Sequence, residues 1–506
     1  MRFKRCLFFI CAIFFLASGC APKISSHDLN VSIDTNSTES VLEAMKHDDN
    51  AKDEMWHNLN IARLLQSNGQ YSESIAYFNV AEGILDEYES RAKVSIRNIS
   101  SGAGATILSI GAGRYYGKGY ERTLMHTLNG LNYIMLGDFE GGAIEMRKME
   151  KRQEFWLSES EARIKEAAEK RAKQPELQNA NVAAQPPEHY SMRALLEDPE
   201  VKSMINNYQD PFSYTLSAIT TAIAGDKEYS QVSCRRAFLL NENVSKVLTE
   251  LKPTEDLARE VLKDISIKNA PQPPTPKVKP EESPKPAAKK KKKNKKGQAK
   301  QEETPAVAAP APLVEPPVDD IDVLVVALTG RAPGLKVEQL PFPIGNLNYT
   351  TFELPALSPP QGEMIFNGVS YNGQSIPPVK LLSADKMAYK TLSDEMPAEI
   401  ALALVRAVAK GAAAYAAQEA GGAFAGLATS IMLHVTSYQM QQSYRNWELL
   451  PNSGYLSAFH AKRNANVTLT VGENVLNIPV QENQKGVIVL VSAISPNNVR
   501  VDHVSY

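Results

Sequence analysis

Cysteine is almost missing: four stand in 506 residues, at positions 6, 11, 20 and 234. Two of these lie in the first eleven residues, ahead of a cleavage box, and a third is the cysteine of that box, so no internal disulfide is expected in the mature chain. Histidine is scarce as well, with eight scattered along the chain. No H-E-x-x-H, paired-cysteine metal site, G-x-S-x-G elbow or P-loop occurs, so the sequence gives no reason to expect an enzyme, a cofactor or a metal. Charge of one sign is also lacking: 55 Lys+Arg against 57 Asp+Glu give a formal net charge of -2. The chain as a whole is drawn neither to nucleic acid nor to anionic surfaces, and any electrostatic argument must be local.

What is present begins at the N-terminus. Arg2, Lys4 and Arg5 precede an unbroken apolar run, Cys6 to Leu16, which is shorter than the roughly 20 residues a bilayer crossing takes. The layout is that of an export signal. Leu16-Ala17-Ser18-Gly19-Cys20 places small residues directly before a cysteine and looks like a bacterial lipoprotein cleavage box, with Cys20 as the acylated first residue of the mature chain. Ala21 follows the cysteine where aspartate is absent, which implies sorting to the outer membrane. Several acyl chains, at roughly 0.8 kcal/mol per buried methylene, make an anchor that does not readily dissociate. With residues 1–19 removed and Cys20 modified, Cys234 is alone at a helical core position and reads as a small buried hydrophobe. Residues 20–50 are polar and read as a flexible tether.

Helical periodicity starts at Met55 and defines a domain over residues 51–269. The clearest unit runs from Tyr115 to Lys151. Leu124, Leu128, Leu131 and Ile134 form one face of a first helix, Gly137-Asp138-Phe139 makes a turn, and Gly142, Ala143, Met146 and Met149 line a second helix. This grammar resembles a tetratricopeptide (TPR) repeat. Ala62, Gly69, Tyr71, Ser74 and Phe78 repeat it, with Gly69 and Gly137 lying 68 residues apart, twice the roughly 34-residue period of such repeats. A degenerate third unit surrounds Gly225, and an amphipathic helix over Thr254–Ile267 closes the domain. Repeats of this kind hold partners, so Tyr71, Phe78, Tyr133 and Met146 are candidate partner-binding side chains on the inner face. The glycine-rich stretch from Ser100 to Gly119 satisfies neither phosphate-loop pattern and reads as a connection.

Residues 270–318 are a Pro- and Lys-rich segment that cannot bury enough apolar surface to fold. Its basic block, Lys289, Lys290, Lys291, Lys292 and Lys293 with Lys295, Lys296 and Lys300, either docks on anionic lipopolysaccharide, cell-wall carboxylate or an acidic protein, or keeps a spacer soluble. The block lacks interleaved aromatics, which argues against nucleic acid. Residues 319–506 read as an α+β domain. Strand-like runs occur at Ile321–Leu328, Val337–Leu340, Tyr349–Leu354, Glu363–Val369, Val467–Val471, Val475–Val480 and Val487–Val491. Two alanine-rich helices, Pro397–Gly421 and Ala423–Tyr444, lie between them, and Arg406, Lys410 and Glu419 speak against membrane insertion. The fold class expected is therefore multidomain α+β: a helical TPR-like part, a Pro/Lys-rich linker, and a small β-rich part with a helical hairpin.

Three stretches together resemble an uncharacterised family of bacterial TPR-containing lipoproteins. They are Gly117-Lys118-Gly119-Tyr120-Glu121 with His126 and the Gly137–Gly141 turn, the ALALVRAVAK run that ends at Lys410, and Arg445-Asn446-Trp447-Glu448-Leu449-Leu450-Pro451. The resemblance implies fold and location more than activity. The resulting expectation is a non-enzymatic scaffold tethered to the outer membrane, facing the periplasm, that recruits an envelope protein of a peptidoglycan-synthesis, outer-membrane-assembly or flagellar machine. The alternative is a module that binds peptidoglycan or lipopolysaccharide through the lysine block and the C-terminal part. His126, five residues from Glu121, reads as a packed or capped histidine; an enzyme with an unrecognised site would show itself by turnover lost on substituting His126 or Glu121. Arg445 and Trp447 are either a contact surface or a core pair.

Overall fold

The computed structural model describes residues 26–35, 38–46, 54–95, 114–172, 188–269, 320–341, 351–422, 426, 429, 445–463, 467–471, 474–479 and 483–506. The signal, Cys20, the lysine block, most of the glycine-rich stretch and most of the second alanine-rich helix lie outside these residues.

Two helices form where a tether is expected, α1 (Ser26–Asp34) and α2 (Thr38–Lys46). The reason is in the sequence: Leu29 and Ile33 recur four apart, and Val41, Leu42 and Met45 repeat that spacing. All five are buried, packed with Trp56, Ile61, Leu64, Leu65, Leu449 and Ile494. An amphipathic stripe that short is easily lost among Ser, Asp and Asn, yet here it is covered by residues from both ends of the chain.

Three helical hairpins follow: α3 (Glu54–Ser67) with α4 (Tyr71–Ser95), α5 (Gly119–Met135) with α6 (Phe139–Ala172), and, after the short helices α7 (Arg193–Leu196) and α8 (Pro199–Ser203), α9 (Pro211–Ile223) with α10 (Lys227–Leu240). Their turns are built alike. Gly69, Gly137 and Gly225 each take a positive φ, 76°, 79° and 87°, which a side chain would strain. The next residue's N–H then reaches back to the carbonyl five positions earlier, Gln70 to Leu65, Asp138 to Tyr133 and Asp226 to Thr221. Five residues after the glycine, the Ser74 hydroxyl donates to the Ala62 carbonyl (2.7 Å) and that of Ser230 to the Ala218 carbonyl (2.8 Å). The matching position in the middle hairpin is Gly142, where a Cβ would stand 3.1 Å from Thr220 of the third hairpin. Asp210 caps α9 by accepting from Ser213 N (2.7 Å), with Pro211 at the first turn, as the Asp-Pro pair suggests. Helices α11 (Ser245–Leu248) and α12 (Lys252–Asn269) complete this part.

The C-terminal part holds a five-stranded sheet in the order β11-β10-β1-β7-β6, a four-stranded sheet β5-β4-β8-β9, and the pair β2-β3. Their ranges are β1 Asp320–Thr329, β2 Leu335–Pro341, β3 Thr351–Leu357, β4 Val369–Tyr371, β5 Gln374–Ile376, β6 Val379–Ser383, β7 Ser453–Lys462, β8 Val467–Val471, β9 Asn474–Ile478, β10 Gly486–Ser495 and β11 Asn498–Ser505. Strand β1 pairs in parallel with β10 and antiparallel with β7, the arrangement of a central strand. It reads as a continuous apolar run because both its faces are covered. Leu324, Val326 and Leu328 join the large core with Leu456, Ile488 and Leu490, whereas Val323, Val325 and Ala327 join Phe366, Val369, Val467 and Ile478 against the smaller sheet. Between β6 and β7 runs α13 (Ala384–Gly421), one helix that passes through Pro397. It begins thirteen residues earlier than its alanine-rich half suggests, because Met387, Ala388, Leu392 and Met396 supply a buried stripe.

Helices and sheet share one core. Leu59, Phe78, Leu131, Met146 and Phe212 of the helices lie in the same apolar cluster as Leu324 and Val326 of β1, Leu490 of β10, and Trp447. The boundary at residues 270–318 is therefore a boundary of composition, and the parts on either side of it pack on each other.

One polar contact at this junction responds to pH. Asp322 on β1 accepts from the Lys252 N–H at the start of α12 (2.9 Å) and lies 3.2 Å from Nδ1 of His460, its cross-strand partner on β7. The Asp322 carboxylate raises the His460 pKa above its ordinary value. The stabilisation from this pair is complete below the unfolded histidine pKa of about 6.5 and is lost as pH rises through the higher folded value. His460→Gln is expected to lower stability by about 0.5–1 kcal/mol at low pH and to match the parent at high pH, as read from denaturant midpoints across that range.

Candidate functional site

Two of the stretches that carry the family resemblance, Gly117–Glu121 and Arg445–Pro451, meet at one junction. Helix α5 starts at Gly119, and the Glu121 carboxylate folds back to accept from the Lys118 N–H (2.5 Å), half of a capping box. Its other oxygen accepts from the N–H of Trp447 (2.7 Å). On α3, Asn60 Oδ1 accepts from the N–H of Leu449 (3.0 Å) while its Nδ2 donates to the Trp56 carbonyl (2.9 Å). The Trp447 ring is fully buried and meets Phe78 edge-on at 5.9 Å, and the Arg445 guanidinium lies over Trp56 at 4.7 Å. Burial pushes the Glu121 carboxyl up, and the two N–H groups that it receives offset part of that shift. The segment 445–451 is thus read by side chains of α3 and α5 through its backbone, much as a bound peptide would be.

A small chamber of about 30 Å³ lies beside this junction, lined in part by Lys118, Tyr120, Glu395, Glu399 and Asn446. Lys118 Nζ pairs with Glu395 on α13 (2.8 Å), and further along α13 Lys410 Nζ pairs with Glu353 of β3 (2.7 Å). Burial lowers the Lys410 pKa even with Glu353 beside it. No helix among the described residues is long and apolar enough to cross a membrane, and Arg406 and Lys410 are buried charges inside the protein. Their signal was available: Glu395, Glu399, Arg406 and Lys410 fall at spacings of four and seven on one helical stripe.

His126 belongs to a separate cluster between the first two hairpins. It is 1% exposed, and its Nδ1 lies 2.7 Å from Glu145 Oε2, so its partner is Glu145 on the following helix and not Glu121. Arg152 Nε donates to His126 Nε2 (3.3 Å), while its Nη1 and Nη2 hold Glu89 (2.8 Å) and Asp86 (2.7 Å). Lys148 Nζ bridges Glu82 (2.8 Å) and Glu145 (2.9 Å). Burial pushes the Glu145 carboxyl up, but bonds from His126 and Lys148 more than offset this and leave it below its ordinary value. Glu82, His126 and Glu145 have ligand atoms within 4.8 Å of one another, close enough to hold a metal ion. The protons argue against that use. Arg152 donates to Nε2, which places the imidazole proton on Nδ1, facing Glu145. A metal on Nδ1 would move that proton to Nε2 and set it against the Arg152 donor, and Lys148 already supplies a cation to both carboxylates.

The cluster ties α4 to α5 and α6, and Arg152 is its centre. Arg152→Ala is expected to cost about 3 kcal/mol at neutral pH, the low end for breaking a buried pair because Asp86 stays in solvent. Burial already holds the Glu89 carboxyl above its ordinary value despite Arg152. Without the guanidinium it rises further, so the penalty should be full above the variant's folded Glu89 pKa and shrink as pH falls from there through the parent's folded value, which itself lies above the unfolded carboxyl pKa, as urea titrations at several pH values would show.

The four candidate partner-binding residues do not form a groove. Phe78 and Met146 are 1% and 0% exposed and belong to the core. The Tyr71 hydroxyl donates to Asp502 on β11 (2.7 Å), and Tyr133 is half-buried with its ring against Gly141. The inner face is taken up: the first helices α3, α5 and α9 are covered by the second helices on one side and by the sheet and the 445–451 segment on the other. Cys234 is fully buried, and burial pushes its thiol up to about 12, which fits an inert core residue. No family model, curated protein or solved structure matches this chain.

Proposed function

We propose that this chain is a non-enzymatic scaffold of the bacterial envelope, acylated at Cys20, held at the outer membrane, and built on TPR-like repeats of the lipoprotein family that its motifs resemble. The observation that carries the reading is the occupied inner face. Three hairpins with one turn geometry follow one another, and the surface that repeats commonly offer to a peptide is taken by the chain's own residues 445–451. A partner must then be met on the outer helices α4, α6 and α10. These carry Val80, Ile144, Val232 and Leu239, which are 47%, 51%, 46% and 63% exposed. Photo-cross-linking residues placed at those four positions in living cells test this. Capture of the same envelope protein from neighbouring positions, lost when the outer surface is charged, supports the scaffold; capture of nothing from all four in a folded protein overturns it.

A second reading, recognition of lipopolysaccharide or peptidoglycan by Lys289–Lys293, has its own support. Because the parts that flank residues 270–318 share a core, so long a segment is not needed to keep two bodies apart. Deleting residues 289–300 and measuring binding to purified sacculi and lipopolysaccharide decides it: unchanged binding removes the lysine block from the function.

A further inference from the structure

Five residues, 21–25, separate Cys20 from the first residue of α1. Even fully extended, the path from Cys20 to Ser26 covers at most roughly 20 Å. Helix α1 is not a swinging arm at the end of that path. Leu29 and Ile33 are 0% exposed, seated in one cluster with Leu449 and Ile494. Asp34 pairs at 2.8 Å with Nη2 of Arg331, a guanidinium only 1% exposed that also donates to Gln361 Oε1 at 3.2 Å. Pulling α1 away would strip a buried cation of its carboxylate as well as bare four aliphatic side chains.

Two large apolar side chains stand in solvent within four residues of members of this contact. Val31 projects from the outer side of α1 and is 45% exposed. Ile365 is 76% exposed, four residues beyond Gln361, on a loop that Gly362 brings so close to β10 that a Cβ would stand 2.8 Å from the Ile494 carbonyl. The acidic groups at this end, Asp34 at 55% exposure and the exposed Glu363, disfavour an anionic surface.

We propose that the end of the body bearing Val31 and Ile365 lies against a zwitterionic lipid surface, so that the anchor fixes which face of the protein looks away from the membrane. The inference rests on the reading that Cys20 is acylated. An acyl anchor makes the second contact intramolecular, so two aliphatic side chains at the headgroup boundary suffice where they could not recruit a free protein.

The test uses the mature, acylated full chain in phosphatidylcholine vesicles doped with a headgroup nitroxide lipid. Val31→Cys and Ile365→Cys each take a single fluorophore, because Cys234 is buried and Cys20 is modified. Val232→Cys and Leu239→Cys on α10, a helix that packs on α9 and α12, serve as controls. Strong quenching at 31 and 365 with little at 232 and 239 is expected. Equal quenching at all four positions, with acylation of Cys20 verified by mass spectrometry, overturns the proposal alone. An unmodified Cys20 overturns the anchoring reading and this proposal with it.

Discussion

Trp447→Ala is expected to lower the free energy of unfolding by about 3–5 kcal/mol, the range for emptying a fully buried tryptophan site. The ring is 0% exposed and sits where helices α3, α4 and α5 meet the loop before β7, so the cavity opens at the seam and not inside one layer. Glu121→Ala should cost about 2–3 kcal/mol by a different route, leaving the buried Trp447 N–H and the half-buried Lys118 N–H without their carboxylate acceptor. Since the two residues touch, the double variant should lose less than the sum of the singles. Denaturant unfolding measures all three. A loss below about 1 kcal/mol for Trp447→Ala would mean that the 445–451 segment is not what closes the seam.

A chain cut once between residues 270 and 319 is expected to remain a single species in native buffer. The pieces on either side are joined by backbone as well as side chains. Tyr71 bonds Asp502 (2.7 Å), Arg63 Nη2 donates to Ser492 Oγ (3.0 Å), Lys252 N donates to Asp322 (2.9 Å), and Tyr190 donates to the Pro355 carbonyl. Beneath these bonds the apolar side chains of β1, β7 and β10 interleave with those of the first helices, an obligate type of contact. With a protease site inserted at Gly297, the cleaved protein should co-elute in gel filtration at the mass of the whole chain and separate only in denaturant. Its unfolding temperature should also become dependent on concentration, which the uncut chain's does not. Two species in native buffer would restore two independent domains.

Much of the local structure was legible in the sequence. Glycines 69, 137 and 225 mark the hairpin turns because a backbone in the left-handed region needs them, and Asp210-Pro211 marks a helix start. Strands β1, β8 and β10 announce themselves by β-branched runs between turn residues. Strands β7 and β11 do not, since Ser453–Lys462 mixes Gly, Ser, Ala and His and Asn498–Ser505 alternates charge with valine. The run Glu363–Val369 reads as strand, but only its last residue belongs to one, because the segment before it crosses Ile494 as a loop. What periodicity cannot reveal is which apolar face covers which. Phe78 and Met146 look the same in sequence whether a partner or the chain's own sheet lies over them. The partner of His126 is equally hidden: Glu121 is nearer in sequence, but Glu145 comes round on the next helix.

The pairing of β1 with β10 also sets an order of events. Asp322 waits for Gly486, and Arg63 for Ser492, 429 residues downstream. A chain emerging from its N-terminus holds α3, α5 and α9 with uncovered apolar flanks until nearly the last strand arrives. Contacts so distant make folding slow and leave aggregation-prone intermediates along the way. A stop codon anywhere before β10 would therefore not yield a shorter working protein. It would yield helices with no lid, fit for proteolysis.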